Sequence, residues 1–387
     1  MRACLLAAIL VGCSSTPGAI DARPRIDAGL DAALDAAPPA RATEDLPDDA
    51  PGAYQIHVLY VVPADRTPAA PLDTDGSIRR SVAAFDAWFA AQTGGPRLRF
   101  DTAGGVLDVT YVKLDPPYAE RALAEGTVGA PAGPDYLRDR LEALLAPRFA
   151  EPHKMYLVYW DGLSFRHCGG APLPPLLHGH MPSLQVGGLF ASSFLTADAG
   201  AGATQLAVYS LANLPLGAAP FDATLGSEAV RVIAVGADTL TLAAPLAAAH
   251  PAGEPLQAAT TIPDCRANAF SPDGHTLAYW EFSGAHEILH TLGIAPPEAA
   301  DYAPPPVAPG HLAATGPDGT ADLMYQGTAN WGCLEFPPAT APATSACRLD
   351  SGHRNYFAVT GRTVSVDLAA SVFLEPTPAG AVAPLGW

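Results

Sequence analysis

Two rhythms of apolar and polar positions run along this chain. "YQIHVLYVVP" holds an apolar run from Tyr54 to Val62, rich in β-branched residues, which predicts a buried strand. In "SIRRSVAAFDAWFAAQTGG" the residues Ile78, Val82, Phe85 and Phe89 recur at three- and four-residue steps, with Ser77 near the cap position and glycines closing the segment. That spacing predicts an amphipathic helix. "RLRFDT" and "LDVTYVKLD" then read as strands, "PDYLRDRLEALLAPRF" as a second helix and "KMYLVYWDG" as a further strand. Such an order suits an α+β fold, a mixed sheet with helices packed against it.

Between residues 187 and 262 the rhythm shortens. "TQLAVYSL", "SEAVRVIAV" and "DTLTLAAPL" alternate over a few residues each and are separated by Gly, Pro and Asp. They predict a small all-β module, sandwich or barrel-like, inserted into a host domain built from residues 53–186 and 263–387. Residues 14–52 carry Ala, Asp and Pro and almost no aromatic side chain, so this stretch reads as a disordered acidic tether.

Composition narrows the function classes. Of 387 residues, 49% are hydrophobic and 16% charged, enough apolar material for a sizeable core. A formal net charge of -18, without a basic stripe, repels phosphate backbones and argues against nucleic-acid binding. No nucleotide-binding loop, dinucleotide fingerprint or nucleophile elbow is present in the sequence.

The opening "MRACLLAAILVGCSS" joins an early Arg2 to a short apolar run, the pattern of a secretory signal. Leu10-Val11-Gly12-Cys13 resembles the lipobox of bacterial lipoproteins, which implies a signal peptide over residues 1–13 and a lipid on Cys13. Ser14 follows where an inner-membrane retention signal has Asp. The implied address is the bacterial envelope, anchored at the outer membrane, or the exterior. Export leaves Cys168, Cys265, Cys333 and Cys347 in an oxidising compartment, where four cysteines allow three pairings. We favour Cys168 with Cys265, across the ends of the insert, and Cys333 with Cys347.

The chemistry concentrates in "HEILHTLG". His286 and His290 stand one helical turn apart, so both imidazoles project from one face and can share a cation. Glu287 lies beside them as a general base for water. Ile288, Leu289 and Leu292 supply a face to bury, and Gly293 stands where a left-handed turn ends a helix. With "DLMYQG" downstream, H-E-x-x-H-x-x-G resembles the metzincin branch of the zincin metallopeptidases. The resemblance implies a zincin-like catalytic domain, bound Zn2+, and Met324 as the residue of a methionine turn beneath the metal. The family's usual third-ligand position is Pro296 here, which cannot bind metal. His311 comes next in the expected order, with Asp301 and then His353 as alternatives. Tyr325 is the candidate for stabilising an oxyanion. The "HGH" stretch, His178 to His180, reads as loop surface, and His57 as a satisfied sheet residue.

These residues point to a zinc-dependent endopeptidase acting on a protein or peptide substrate and meeting the membrane through its lipid alone. A non-catalytic binding or adhesion lipoprotein and a zinc hydrolase of non-peptide amides are the competing readings. Glu287 favours catalysis, because a binding protein has no need of a base beside the ligands.

Overall fold

The computed structural model describes residues 40–68, 70–116, 136–164, 169–172, 179–186, 189–190, 193–209, 219–258, 270–274, 277–305, 307–327, 347–384 and 387. The first strand, β1 (Gln55–Val62), is buried along its whole length. Helix α1 (Ser77–Thr93) follows, then β2 (Arg97–Leu98), the hairpin β3 (Thr102–Ala103) and β4 (Val106–Leu107), and β5 (Val109–Lys113). Helix α2 (Tyr136–Leu145) leads into β6 (Lys154–Trp160), β7 (Leu163–Ser164), β8 (Gly169–Gly170) and β9 (Ser183–Gln185). The main sheet has the order β5-β1-β6-β9-β8, parallel except for the antiparallel edge strand β8.

Period-two alternation explains why both faces of this sheet are covered. On β1, Ile56, Val58, Tyr60 and Val62 face one core while Leu59 and Val61 face another. On β6, Met155, Leu157 and Tyr159 join the first core, and Tyr156, Val158 and Trp160 the second. Helix α1 covers the first face with the predicted residues Ile78, Val82, Phe85 and Phe89. Helix α2 covers the other with Leu137, Leu141 and Leu145. The cap of α1 differs from the expectation: Gly76 occupies the cap in a left-handed conformation, and the Asp75 carboxylate accepts from the Ser77 N–H at 2.8 Å.

A second sheet of six antiparallel strands follows. It comprises β11 (Ser193–Phe194), β12 (Gln205–Ala207), β13 (Phe221–Leu225), β14 (Glu228–Val235), β15 (Thr239–Leu242) and β16 (Pro255–Ala258), in the order β11-β16-β13-β14-β15-β12. Just before it, β10 (Leu189–Phe190) pairs with β7. Beyond the ends of β11 and β12, Leu195 bridges Val208, and the Thr196 N–H reaches the Ala207 carbonyl at 3.0 Å. The two edge strands therefore meet, and the sheet curls into a barrel-like unit around Leu206, Leu225, Val232, Leu240 and Leu256.

After this unit come helix α3 (Tyr279–Thr291) and a final strand β17 (Leu374–Glu375), which returns to pair with β2. Phe282, Ile288, Leu289, Leu323, Met324 and Phe373 enter the same core as β1 and α1. Mixed α+β architecture thus holds, with one core drawing on residues from both sides of the antiparallel sheet.

One boundary needs correction. The expectation of a disordered tether over residues 14–52 fails for residues 40–52. Lys154, only 5% exposed in its side chain, pairs with Asp45, Asp48 and Asp101 at 2.7–2.8 Å. Arg41 grips Asp73 through two hydrogen bonds of 2.6 and 2.8 Å. Acidic residues that read as solvating composition here neutralise a buried ammonium. Residues 14–39 and Cys13 lie outside the described residues. Among the described residues, no helix is long and apolar enough to cross a membrane.

Candidate metal centre

Helix α3 forms where it does because its two ends are defined chemically. At its start the Glu281 carboxylate accepts from the Ala278 N–H at 2.7 Å and the Ser271 N–H at 3.1 Å, satisfying groups the helix leaves open. At its end the Ile294 N–H bonds the Leu289 carbonyl at 3.0 Å, and Gly293 turns the chain at φ +80°. That reversal needs a residue without a Cβ. Along the helix Gly284 lets α1 and β9 approach: a Cβ there would meet Leu184 at 3.3 Å and Phe85 at 3.6 Å.

His286 and His290 project from α3 one turn apart, with their Nε2 atoms 2.9 Å from each other. After the Pro-rich segment beyond Gly293, the chain returns His311 to the same point, its Nε2 3.2 Å from that of His290. One ligand atom from each of the three residues lies within 4.8 Å of the others. Asp301 is held elsewhere: its carboxylate takes hydrogen bonds from Thr315 and Asn355 at 3.0 and 3.1 Å. His353 sits in a left-handed turn with Nδ1 3.1 Å from the Phe357 carbonyl. Of the three residues weighed for the third position, His311 is the one brought to the pair.

Backbone carbonyls set the tautomers. His286 Nδ1 donates to the Leu323 carbonyl at 2.7 Å, and His311 Nδ1 to that of Ala308 at 3.0 Å. Each Nε2 therefore presents a lone pair towards the centre. Burial, then the neighbouring His311, pushes His286 down to about 3. Burial, then its two histidine neighbours, holds His290 well below its ordinary value, and burial likewise lowers His311. The Nδ1 of His290 is buried and without a hydrogen-bond partner among the described residues. Neutral imidazoles with facing acceptor nitrogens can share at most one proton, on His290. A cation satisfies all three lone pairs, and spacings of 2.9 and 3.2 Å approach the roughly 3.3 Å edge of a tetrahedron with bonds of about 2.0–2.1 Å. The donor set fits a divalent metal.

Backbone hydrogen bonds tie the segment carrying Met324 to the residues of this centre. Leu323, which holds His286, precedes the fully buried Met324. The Met324 carbonyl accepts from the Leu312 N–H at 2.9 Å, next to His311. Asp322 fixes the turn by accepting from the Met324 N–H at 2.8 Å and the Tyr356 hydroxyl at 3.0 Å. Tyr325 is buried, its hydroxyl against the backbone of Gly327.

Glu287 lies at the foot of the main sheet's edge. A Cβ on Gly169 of β8 would fall 2.4 Å from its Oε1, so the strand's bare backbone runs against the carboxylate. Sequence reasoning missed Gly169, since a glycine pair after Cys168 gives no hint of a neighbour 118 positions away in "HEILH". The carbonyls of Leu323 and Ala308 left no sequence signal either.

The other histidines keep to structural places. His57 is buried, bonded to Asp101 at 2.7 Å and Thr110 at 2.9 Å. His180 stacks on Trp387, and His178 lies outside the described residues. Cys347 is buried and disulfide-bonded, while Cys168, Cys265 and Cys333 lie outside the described residues.

No protein-family model, curated protein or solved structure gives a significant match to the chain. The functional reading therefore rests on the residues themselves.

Proposed function

We propose that this protein is a zinc-dependent endopeptidase of zincin type, exported to the bacterial envelope and anchored through Cys13. The observation that carries the reading is the convergence of three neutral imidazoles, His286, His290 and His311; Glu287 adjoins His286 in the sequence, and its carboxylate packs against Gly169 of β8. All-nitrogen coordination suits zinc and disfavours calcium or magnesium, which take oxygen donors. A parallel sheet with one antiparallel edge, a histidine-bearing helix and a methionine turn adds support for the zincin assignment.

Zinc held by the three histidines supplies Lewis acidity towards a substrate carbonyl and towards water. Glu287, next to the ligand pair but outside it, takes the proton of the attacking water on its carboxylate. It then delivers that proton to the departing nitrogen. Gly169 lies against the carboxylate on one side. The Tyr325 hydroxyl is our choice for a donor to the carbonyl oxygen as charge develops there. Strand β8 offers its outer edge beside Glu287, and an extended peptide adding to that edge would bring a peptide bond to the base.

Metal analysis and casein digestion on the full chain test this directly. We expect about one zinc per chain, lost in His311→Ala. Glu287→Gln should keep the zinc and lose roughly 10²–10⁴ of the turnover, the usual worth of a positioned general base. Proteolysis surviving in Glu287→Gln, or a folded protein that takes up no zinc, would overturn the reading.

A further inference from the structure

Beside the N-terminal half of α1 lies a second site that shares no lining residue with the histidine centre. Helix α1, strand β2 and the β3–β4 hairpin enclose a cavity of about 190 Å³, walled by Val82, Leu98, Phe100, Val106 and Leu107. Arg79 forms part of the wall and is 7% exposed. Its Nε and Nη2 have no hydrogen-bond partner among the described residues, and it forms no ion pair there. A buried guanidinium without a counter-charge is costly, and burial alone holds its pKa below the ordinary value.

Three nearby carboxylates each have a partner of their own. Asp73 is held by both Arg41 nitrogens, and Asp108 Oδ2 accepts from the Leu46 N–H at 2.8 Å. Asp86, also in the cavity wall, pairs with Arg97 at 2.9 Å and caps the Leu98 N–H at 3.1 Å. Arg97, Thr102 and Glu375 also line the cavity. Position within the first turn of α1 adds the positive end of the helix dipole to the field around Arg79. Apolar walls and one guanidinium without a counter-charge fit a ligand with an apolar body and a single anionic head.

We propose that this cavity binds a small amphipathic monocarboxylate, its chain against Val82, Leu98 and Phe100 and its carboxylate on the Arg79 guanidinium. The volume is below the range of about 300–1,000 Å³ typical of drug-sized ligands, which selects a short acyl chain or one apolar residue bearing a free carboxylate. Peptide-bond hydrolysis is not needed for this site, so the two readings stand or fall separately.

Calorimetric titration of the full chain with octanoate, and with octan-1-ol as the uncharged control, tests it. Octanoate should saturate one site, and octan-1-ol should bind at least tenfold more weakly. Arg79→Leu should lose at least tenfold in octanoate affinity while its melting temperature stays level or rises, because an uncompensated charge leaves the interior. Val106→Trp, on the half-buried hairpin, should block octanoate without altering the fold, and it carries the test if Arg79→Leu does not fold. Failure of octanoate to bind the folded wild type, equal affinity in Arg79→Leu, or undiminished binding in Val106→Trp would each overturn the proposal.

Discussion

Asp322 shows how one residue couples the metal-supporting turn to solvent conditions. The residue is 3% exposed, and burial first, with the charges of Asp318 and Asp350, brings it up to about 7 against the lowering effect of the hydrogen bonds from Met324 and Tyr356. A carboxyl group raised in this way stays protonated in the folded state across a range where the unfolded chain has already ionised. Its contribution to stability is full below the ordinary carboxylate value and is lost as pH rises through about 7. Asparagine preserves the oxygen that accepts from Met324 and Tyr356 but cannot ionise. Asp322→Asn should therefore lose less stability than the wild type between pH 5 and pH 8. With one pKa unit worth about 1.4 kcal/mol, the difference between the two proteins should reach a few kcal/mol. Urea unfolding at the two pH values, with chelator present throughout, measures it; parallel curves for the two proteins would refute the assignment.

At the scale of elements, β8 meets α3 at Glu287, the base of the proposed mechanism. Gly169→Ala places a methyl group where the Glu287 carboxylate now lies, with distances of 2.4–2.9 Å to its outer atoms. The carboxylate must swing away, while His286 stays held by the Leu323 carbonyl. The expected result is a loss of tenfold or more in kcat/KM with zinc content unchanged, read by kinetics and metal analysis on the same preparation. Zinc lost together with activity would mean that β8 supports the whole helix instead.

The helix itself was open to sequence reading, because its stripe of Ile288, Leu289 and Leu292 and its histidine pair both follow the helical period. Met324 and His311 were reachable by their order after Gly293. What the chain's periodicity could not convey was proximity without pattern: Gly169 over Glu287, the Leu323 carbonyl under His286, and the buried Arg79 on an otherwise apolar helix face. Nor could composition separate residues 40–52 from the acidic segment before them, since their anchor is Lys154, more than a hundred positions away. Tertiary pairing at that separation leaves no local signature.

Over the whole molecule, the decisive fact is that the antiparallel unit has a core of its own. Leu195, Leu206, Leu225, Val232 and Leu256 pack with one another, while the host core runs from β1 and α1 to α3, Met324 and Phe373 without them. The chain also enters and leaves the unit at paired positions, with Ser193 opposite Leu256 and Phe194 opposite Pro255. Two adjacent antiparallel ends can be joined by a short turn without moving either. Replacing residues 195–254 by a Gly-rich turn should therefore leave a host that unfolds cooperatively and still takes up about one zinc. The closure of β2 by β17 and the grip of Arg99 on the Leu374 carbonyl at 3.0 Å remain to tie its two halves together. Calorimetry and metal analysis of the shortened protein provide the test. A host that unfolds or loses zinc would show that the curled sheet stabilises the host fold, and that its separate core does not make it a separable unit.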